Sequence, residues 1–312
     1  MKLLVIGGAG FIGSVLVNEL CKSNAEIIVI DKLTLGSSAY INEKKVEFFH
    51  EDINNTDAVL KILQNKKIDE VWHLAANSDI PRGVEDISVD LEDTFMSTVS
   101  TIKIMKQINC KKLYFASSAA IYGFHKERLH EEIGPLMPIS NYGAMKLASE
   151  ALISASLESF LDKVCIYRFP NVVGIPATHG VILDFIKKLK QDPLTLQVLG
   201  NGEQQKSYLH VSELVEAMIF IKENTPNGLN FYNIGSIDDG VYVREIAEEV
   251  VKAVSPSAQI QFQESDRGWV GDVPRFYYSV SKLRELGWSP KMSSLEAIKL
   301  AVKEIATQEK II

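Results

Sequence analysis

Six short, mostly apolar runs recur through the first 170 residues of the chain, at residues 3–6, 27–30, 46–49, 71–74, 113–116 and 164–167. Between them apolar side chains return largely at three- and four-residue spacing, as in Ile12, Leu16 and Leu20, then Ala58, Leu60 and Leu63, and later Leu147, Ala151 and Ile153. The short runs read as strands covered on both faces and the spaced sets as amphipathic helices. Such alternation restricts the architecture severely. Each helix carries the chain back to begin the next strand in the same direction, so the strands form a parallel sheet with helices on both faces. The expected fold class is α/β, a doubly wound parallel sheet over residues 1–170. Beyond it, prolines and glycines from Pro170 and Gly174 to Gly271 and Pro274 punctuate shorter elements. That rhythm predicts a smaller C-terminal α/β lobe over 171–312, with some chain crossing between lobes. Helices are expected there at 182–190, at 212–223 with Ser212 as cap, at 243–254 and at 295–306.

The composition suits a chain that buries its own cores: 312 residues, 46% hydrophobic and 23% charged. A net charge of -7 gives no general attraction to nucleic acid or anionic lipid, so any anionic ligand must be held locally. Cys21, Cys110 and Cys165 are far apart with no metal-type spacing, which fits buried thiols in a reducing compartment and an expected address in the cytoplasm. No apolar run reaches the ~18 residues of a membrane span, and residues 3–6 lead into a glycine loop rather than a signal-peptide cleavage pattern.

The first strand is followed at once by Gly7-Gly8-Ala9-Gly10-Phe11-Ile12-Gly13. Gly7, Gly10 and Gly13 at a strand-to-helix junction permit a tight turn, and with Phe11 and Ile12 opening the helix they bring backbone N–H groups to a pyrophosphate. A glycine-rich turn alone would explain the glycines, but not their place at the end of the first strand of a βαβ unit. Asp31 closes the second run 18 positions after Gly13, where a carboxylate can accept hydrogen bonds from a ribose and repel a 2′-phosphate, favouring NAD over NADP; the alternative is a capping or turn aspartate. Lys32 follows it. Asp52 and Ile53 after the third run, and Leu74, Ala75 and Ala76 at the end of the fourth, share the carboxyl edge of the sheet, where ligands bind.

Tyr142 and Lys146 stand four residues apart at the start of a helix, which places phenol and ammonium on one face. A free phenol titrates near ~10. A fixed ammonium, and the positive charge of an oxidised nicotinamide, would lower that value and make the phenol a usable base. The fifth run ends in Ser117-Ser118 at the same carboxyl edge, and a serine there can orient a reacting alcohol or simply satisfy local backbone. There is no GxSxG elbow for a serine nucleophile.

These residues resemble the extended short-chain dehydrogenase/reductase family, among them the nucleotide-sugar epimerases and dehydratases. The resemblance covers nearly the whole chain: GGAGFIG at 7–13, HLAA at 73–76, SSAAIYG at 117–123, YGAMK at 142–146, RFPNVVG at 168–174, KSYLHV at 206–211 and GDVP at 271–274. It implies a Rossmann fold, bound NAD, a nucleotide-diphospho-sugar substrate and a homodimer pairing residues 90–109 and 140–161. Tyr142 becomes the base, Lys146 the group holding the nicotinamide ribose, and Ser118 the contact to the reacting sugar hydroxyl, with Ser117 as the alternative. Pro170 joins the cofactor contacts, and Asn171, Lys206, Arg267 and Asp272 the substrate contacts. The chain departs from the family pattern in several places. Lys206 replaces the common arginine, Arg267 sits further ahead of Gly271 than usual, and Thr94 stands near the place of an asparagine close to the cofactor. Ala119 and Ala120 follow Ser118 where dehydratases and decarboxylases carry acids, so the expected activity is epimerisation, at C4 through a 4-keto intermediate. Phe276 hints at an unsubstituted hexose, and Arg275 reads as solvent-facing. The alternatives are a keto-sugar-nucleotide reductase or dehydrogenase, a 4,6-dehydratase-like enzyme, and, remotely, a non-catalytic NAD-binding protein.

Overall fold

The structure is a computed structural model and describes residues 1–41, 43–265 and 277–312. Its central sheet contains β1 (Lys2–Ile6), β2 (Glu26–Asp31), β3 (Val46–His50), β4 (Glu70–His73), β5 (Lys112–Ser118), β6 (Lys163–Phe169) and the strand Gly228–Asn233. Their order is Gly228–Asn233, β6, β5, β4, β1, β2, β3. The ladders β1–β2, β1–β4, β2–β3 and β4–β5 are parallel, with Val5 opposite both Val29 and Trp72. This is the doubly wound α/β fold expected from the strand–helix alternation, with the strand order reversing between β1 and β4, and that reversal opens a crevice at the carboxyl ends of the strands. Asp52 and Ile53 lie just past β3, and Ala75 and Ala76 just past β4, so all four belong to the loops of that edge.

The helices of this half are α1 (Phe11–Leu20), α2 (Thr56–Leu63), the short α3 (Ile80–Glu85) and α4 (Ile87–Asp90), α5 (Ser97–Gln107) and α6 (Asn141–Leu157). A π-helical turn, Leu91–Met96, joins α4 to α5. Leu4, Ile28, Val71, Phe115 and Ile166 of the sheet form one core with Val59 and Leu63 of α2, Ile104 and Met105 of α5, and Ile153 of α6. Burying each such side chain is worth about 1.5–3 kcal/mol. The apolar run within β6 has the same origin, since all seven residues of that strand are buried.

The chain forms two compact units, each assembled from three segments: Met1–Ile121, Ser140–Arg168 and Met218–Tyr232 in the first, and Tyr122–Ile139, Phe169–Ala217 and Asn233–Ile312 in the second. The second unit pairs Asn171–Val173 with Tyr208–His210, Gln205–Lys206 with Val241–Tyr242, and Thr195–Val198 with Gln259–Phe262. Its core joins Ile182, Phe185 and Ile186 to Ile246, Val250, Ile298 and Val302 on the helices Val181–Gln191, Val243–Val254 and Ser294–Gln308. The helix expected from Ser212 begins at Val211, and Ser212 turns its hydroxyl to His210 Nδ1 at 2.7 Å instead of capping it. The three cysteines are buried free thiols. Among the described residues no helix is long and apolar enough to cross a membrane.

Candidate active site

β1 runs directly into Gly7, whose φ of +77° is strained for any residue with a Cβ. A Cβ there would lie 2.6 Å from the Ala75 nitrogen, and one on Gly13 only 2.0 Å from the Gly7 carbonyl oxygen. The loop is therefore folded onto itself and onto the segment after β4, which the Leu74 and Ala75 N–H groups fasten by donating to the Ile6 carbonyl at 2.9 and 3.1 Å. Gly10 caps α1 without a side-chain hydrogen bond, so the first N–H groups of that helix remain available at its positive end, beside half-buried Phe11 and Ile12. Bare backbone, free donors and a helix dipole fit the pyrophosphate of a dinucleotide.

Asp31 closes β2 and accepts from Ala9 N at 2.9 Å and from Leu33 N at 2.7 Å, so its carboxylate braces the glycine loop while its outer lone pairs stay open to a ribose. Sequence spacing did not disclose that brace, nor Gly36, whose Cβ would fall 2.4 Å from the Ala9 carbonyl oxygen. Lys32 is ion-paired with Asp93 and lies 3.7 Å from Asp52. Asp52 also accepts from Asn54 N, Ile53 is buried and Ala76 is half-buried. Pro170 follows β6 and groups with the second unit.

The end of β5 and the first two turns of α6 bring Ser118, Tyr142 and Lys146 together. Ser140 starts α6 by accepting from Gly143 N at 3.1 Å, which fixes the helical phase that puts Tyr142 and Lys146 on one face. Lys146 Nζ donates to the Ala116 carbonyl at 2.6 Å, 5.8 Å from the centre of the Tyr142 ring. Ser118, half-buried, accepts from Ala120 N at 3.1 Å and hydrogen-bonds the Tyr142 phenol. Ser117 is 0% exposed and donates to Glu150, which Arg168 clamps with Nη2–Oε2 at 2.7 Å and Nε–Oε1 at 3.1 Å. Of the two serines, Ser117 is committed to that buried network and Ser118 faces the phenol.

Burial pushes the Tyr142 phenol up to about 12, against the hydrogen bond from Ser118, and the Asp90 carboxylate adds to the rise. Burial likewise pulls Lys146 down to about 7, opposed by the carboxylates of Glu150 and Asp90. In the chain alone, desolvation thus outweighs the lowering expected from the ammonium. His73 at the end of β4 is buried, held neutral by burial with its value near 3, and surrounded by the hydroxyls of Ser97, Thr98 and Thr101. Thr94, in the π-helical turn, accepts from Asn77 N at 3.1 Å and so anchors the loop after β4.

Residues 3–235 match the model of the NAD dependent epimerase/dehydratase family. The chain belongs to that family. Curated relatives include the UDP-glucose 4-epimerase of Lactobacillus helveticus, 30% identical over 318 residues that span 96% of this chain and 94% of the relative. Among solved structures, a UDP-galactose 4-epimerase superposes with a TM-score of 0.88 at 32% identity, covering 99% of both chains. The UDP-glucose 4-epimerase of Thermus thermophilus, solved with NAD, gives 0.86 at 30% identity, covering 98% of this chain and 99% of that one. The short turn Ala119–Ile121 follows β5, and its Ala119 and Ala120 have no proton to move. Asn171 and Lys206 lie in the second unit on its small ladders, Asn171 opposite Tyr208 and Lys206 opposite Val241, and Lys206 is largely buried. Arg267, Asp272, Arg275 and Phe276 lie outside the described residues.

Proposed function

We propose that this protein is an NAD-dependent nucleotide-diphospho-sugar 4-epimerase that interconverts UDP-glucose and UDP-galactose. The observation that carries the reading is the Ser118–Tyr142–Lys146 set at the carboxyl edge of the sheet, with alanines rather than acids beside Ser118. Gly7, Gly10, Gly13 and Asp31 would hold the dinucleotide, with Ala75 and Ala76 lining it. When bound, NAD supplies a reversible hydride acceptor and a positive charge near the phenol. Tyr142 removes the proton of the sugar 4-hydroxyl and later returns it, while Ser118 holds the oxygen that becomes the 4-keto group and returns to an alcohol. Lys146 supplies positive charge that favours the phenolate. Asn171 and Lys206 are assigned to the nucleotide diphosphate, where a lysine acts as a point charge and not as a bidentate clamp. Binding energy spent on the nucleotide retains the keto intermediate while it turns over its other face.

Acidic charge and buried free thiols support an address in the cytoplasm, with no nucleic-acid or membrane partner. Helix α5 and helix α6, with Leu91 exposed at the turn before α5, are the surfaces assigned to a homodimer. Purified protein incubated with either sugar nucleotide, without added NAD, should form the other with no net NADH. Steady NADH production or consumption would make it a dehydrogenase or reductase instead, and a 4-keto-6-deoxy product a dehydratase.

A further inference from the structure

Glu150, Lys146 and Asp90 are buried charged groups near Tyr142, and one of them is already matched. Glu150 is neutralised by Arg168 and also accepts from Ser117. Lys146 is 2% exposed, and its hydrogen bond goes to the uncharged Ala116 carbonyl. Asp90, the last residue of α4, is 0% exposed. Asn77 Nδ2 donates to its Oδ1 at 2.8 Å, while Oδ2 has no hydrogen-bond partner. The fold makes room for that oxygen: a Cβ on Gly83 of α3 would fall 1.9 Å from it. The Gly83 carbonyl in turn accepts from the Asn141 side chain at 2.9 Å, the residue just before Tyr142. The glycine that closes over Asp90 is thus tied to the first turn of α6. A buried carboxylate oxygen left unpaired is costly, and such groups persist where a neighbouring charge or a function compensates. Burial raises the Asp90 carboxyl, and Asn77 and Lys146 act against that rise; toward Lys146, Asp90 stands second to Glu150, whose charge Arg168 already matches.

We propose that Asp90 is a positioning residue whose buried carboxylate is the counter-charge of Lys146 and sets how many protons the Tyr142–Lys146 pair holds. The role in turnover rests on the reading of Tyr142 as base; the charge pairing does not. Around Lys146 stand Tyr142 and Glu150 on α6, Asp90 from α4 and His73 from β4. Around Asp90 stand Asn77, Asp93 of the π-helical turn, Tyr142 and Lys146. A carboxylate favours the ammonium and disfavours the phenolate. Removing its charge therefore lets both groups lose their protons at lower pH.

The test uses the NAD-loaded protein and the isosteric Asp90→Asn variant. Both limbs of the pH–activity profile should move toward lower pH by about one unit. A residue that only supports packing would lower the profile without moving its limbs. A second readout needs no sugar substrate: 13Cε-lysine NMR, with the Lys146 signal identified by its absence in Lys146→Arg. Its midpoint should fall in Asp90→Asn, and in the unaltered protein the signal should show a second, smaller inflection as Asp90 takes up its proton. An unchanged Lys146 midpoint in folded Asp90→Asn overturns the proposal. So does a single inflection of that signal in the unaltered protein, a measurement that does not depend on Asp90→Asn folding. If Tyr142→Phe keeps its turnover, the base assignment fails while the lysine titration still decides the charge pairing.

Discussion

Glu150 and Arg168 form a buried pair, with side chains only 7% and 8% exposed, inside the first unit. Replacing Glu150 by Gln keeps the shape but removes the charge, and it sets an amide N–H against a guanidinium that has only donors. Arg168 Nη2 at 2.7 Å and Nε at 3.1 and 3.2 Å lose their carboxylate, and Ser117 loses a charged acceptor. Breaking a buried pair from one side costs about 3–5 kcal/mol, because the charge that remains loses its compensating carboxylate. For a unit of this size that corresponds to a fall in Tm of roughly 6–20 °C. The cost comes mainly from a buried charge that has lost its counter-ion rather than from the strength of the bond, so a double-mutant cycle separates the two. Arg168→Met should also cost about 3–5 kcal/mol alone, whereas Glu150→Gln with Arg168→Met should cost clearly less than the sum of the singles. Urea unfolding of the four proteins, followed by circular dichroism, measures the cycle. Additive costs, or a Glu150→Gln loss below about 1 kcal/mol, would refute the reasoning, since surface-like pairs behave in that way.

Tyr142→Phe should fold and retain NAD while turnover falls by about 10²–10⁴-fold, the usual worth of a positioned proton-transfer group; near-normal rates would remove Tyr142 from that role. Gly13→Ala forces a Cβ to within 2.0 Å of the Gly7 carbonyl oxygen, so the purified variant should carry little bound dinucleotide by absorbance and chromatography of the heat-released cofactor. Burial pulls Lys146 to about 7 from an ordinary value of 10.5, so between those values the unfolded chain binds more protons than the folded one and stability rises with pH. The penalty for holding this ammonium is full below pH ~7, on the order of 5 kcal/mol. Lys146→Met should therefore raise Tm at pH 6 and lose that advantage as pH climbs toward 10; an advantage independent of pH would contradict the assignment of cause.

The sheet was legible because strands covered on both faces leave apolar runs, and the glycine loop because its spacing falls at a strand end. Four-residue spacing likewise put Tyr142 and Lys146 on one helical face. Choosing between Ser117 and Ser118 was beyond the sequence, since neighbouring strand residues face opposite ways and nothing local marks which one meets Tyr142. That distinction depends on Glu150, 33 residues after Ser117, and on Arg168, 18 residues beyond Glu150. Asp90, Gly83 and the π-helical turn were equally hidden: each looks like an ordinary surface-helix residue until α3, α4 and α6 pack together. The pairing of Lys32 with Asp93 was missed because spacing does not show which distant charges meet, and the phenol pushed upward because spacing carries no information about desolvation. Nor did periodicity show that 122–139 and 218–232 would leave their sequence neighbours, since an element's apolar pattern does not name the core that receives it.

The outermost strand of the central sheet, Gly228–Asn233, is made some sixty residues after β6, the strand it flanks. During synthesis, therefore, β6 waits as a bare edge, with every side chain destined for burial and its outer backbone groups unpaired. At ~5–20 residues per second that interval lasts several seconds, long enough for non-native pairing between neighbouring nascent chains. The same geometry makes a fragment ending near residue 170 a poor expression product, and one extended through residue 233 a better one, although the extension adds residues that belong to the other unit.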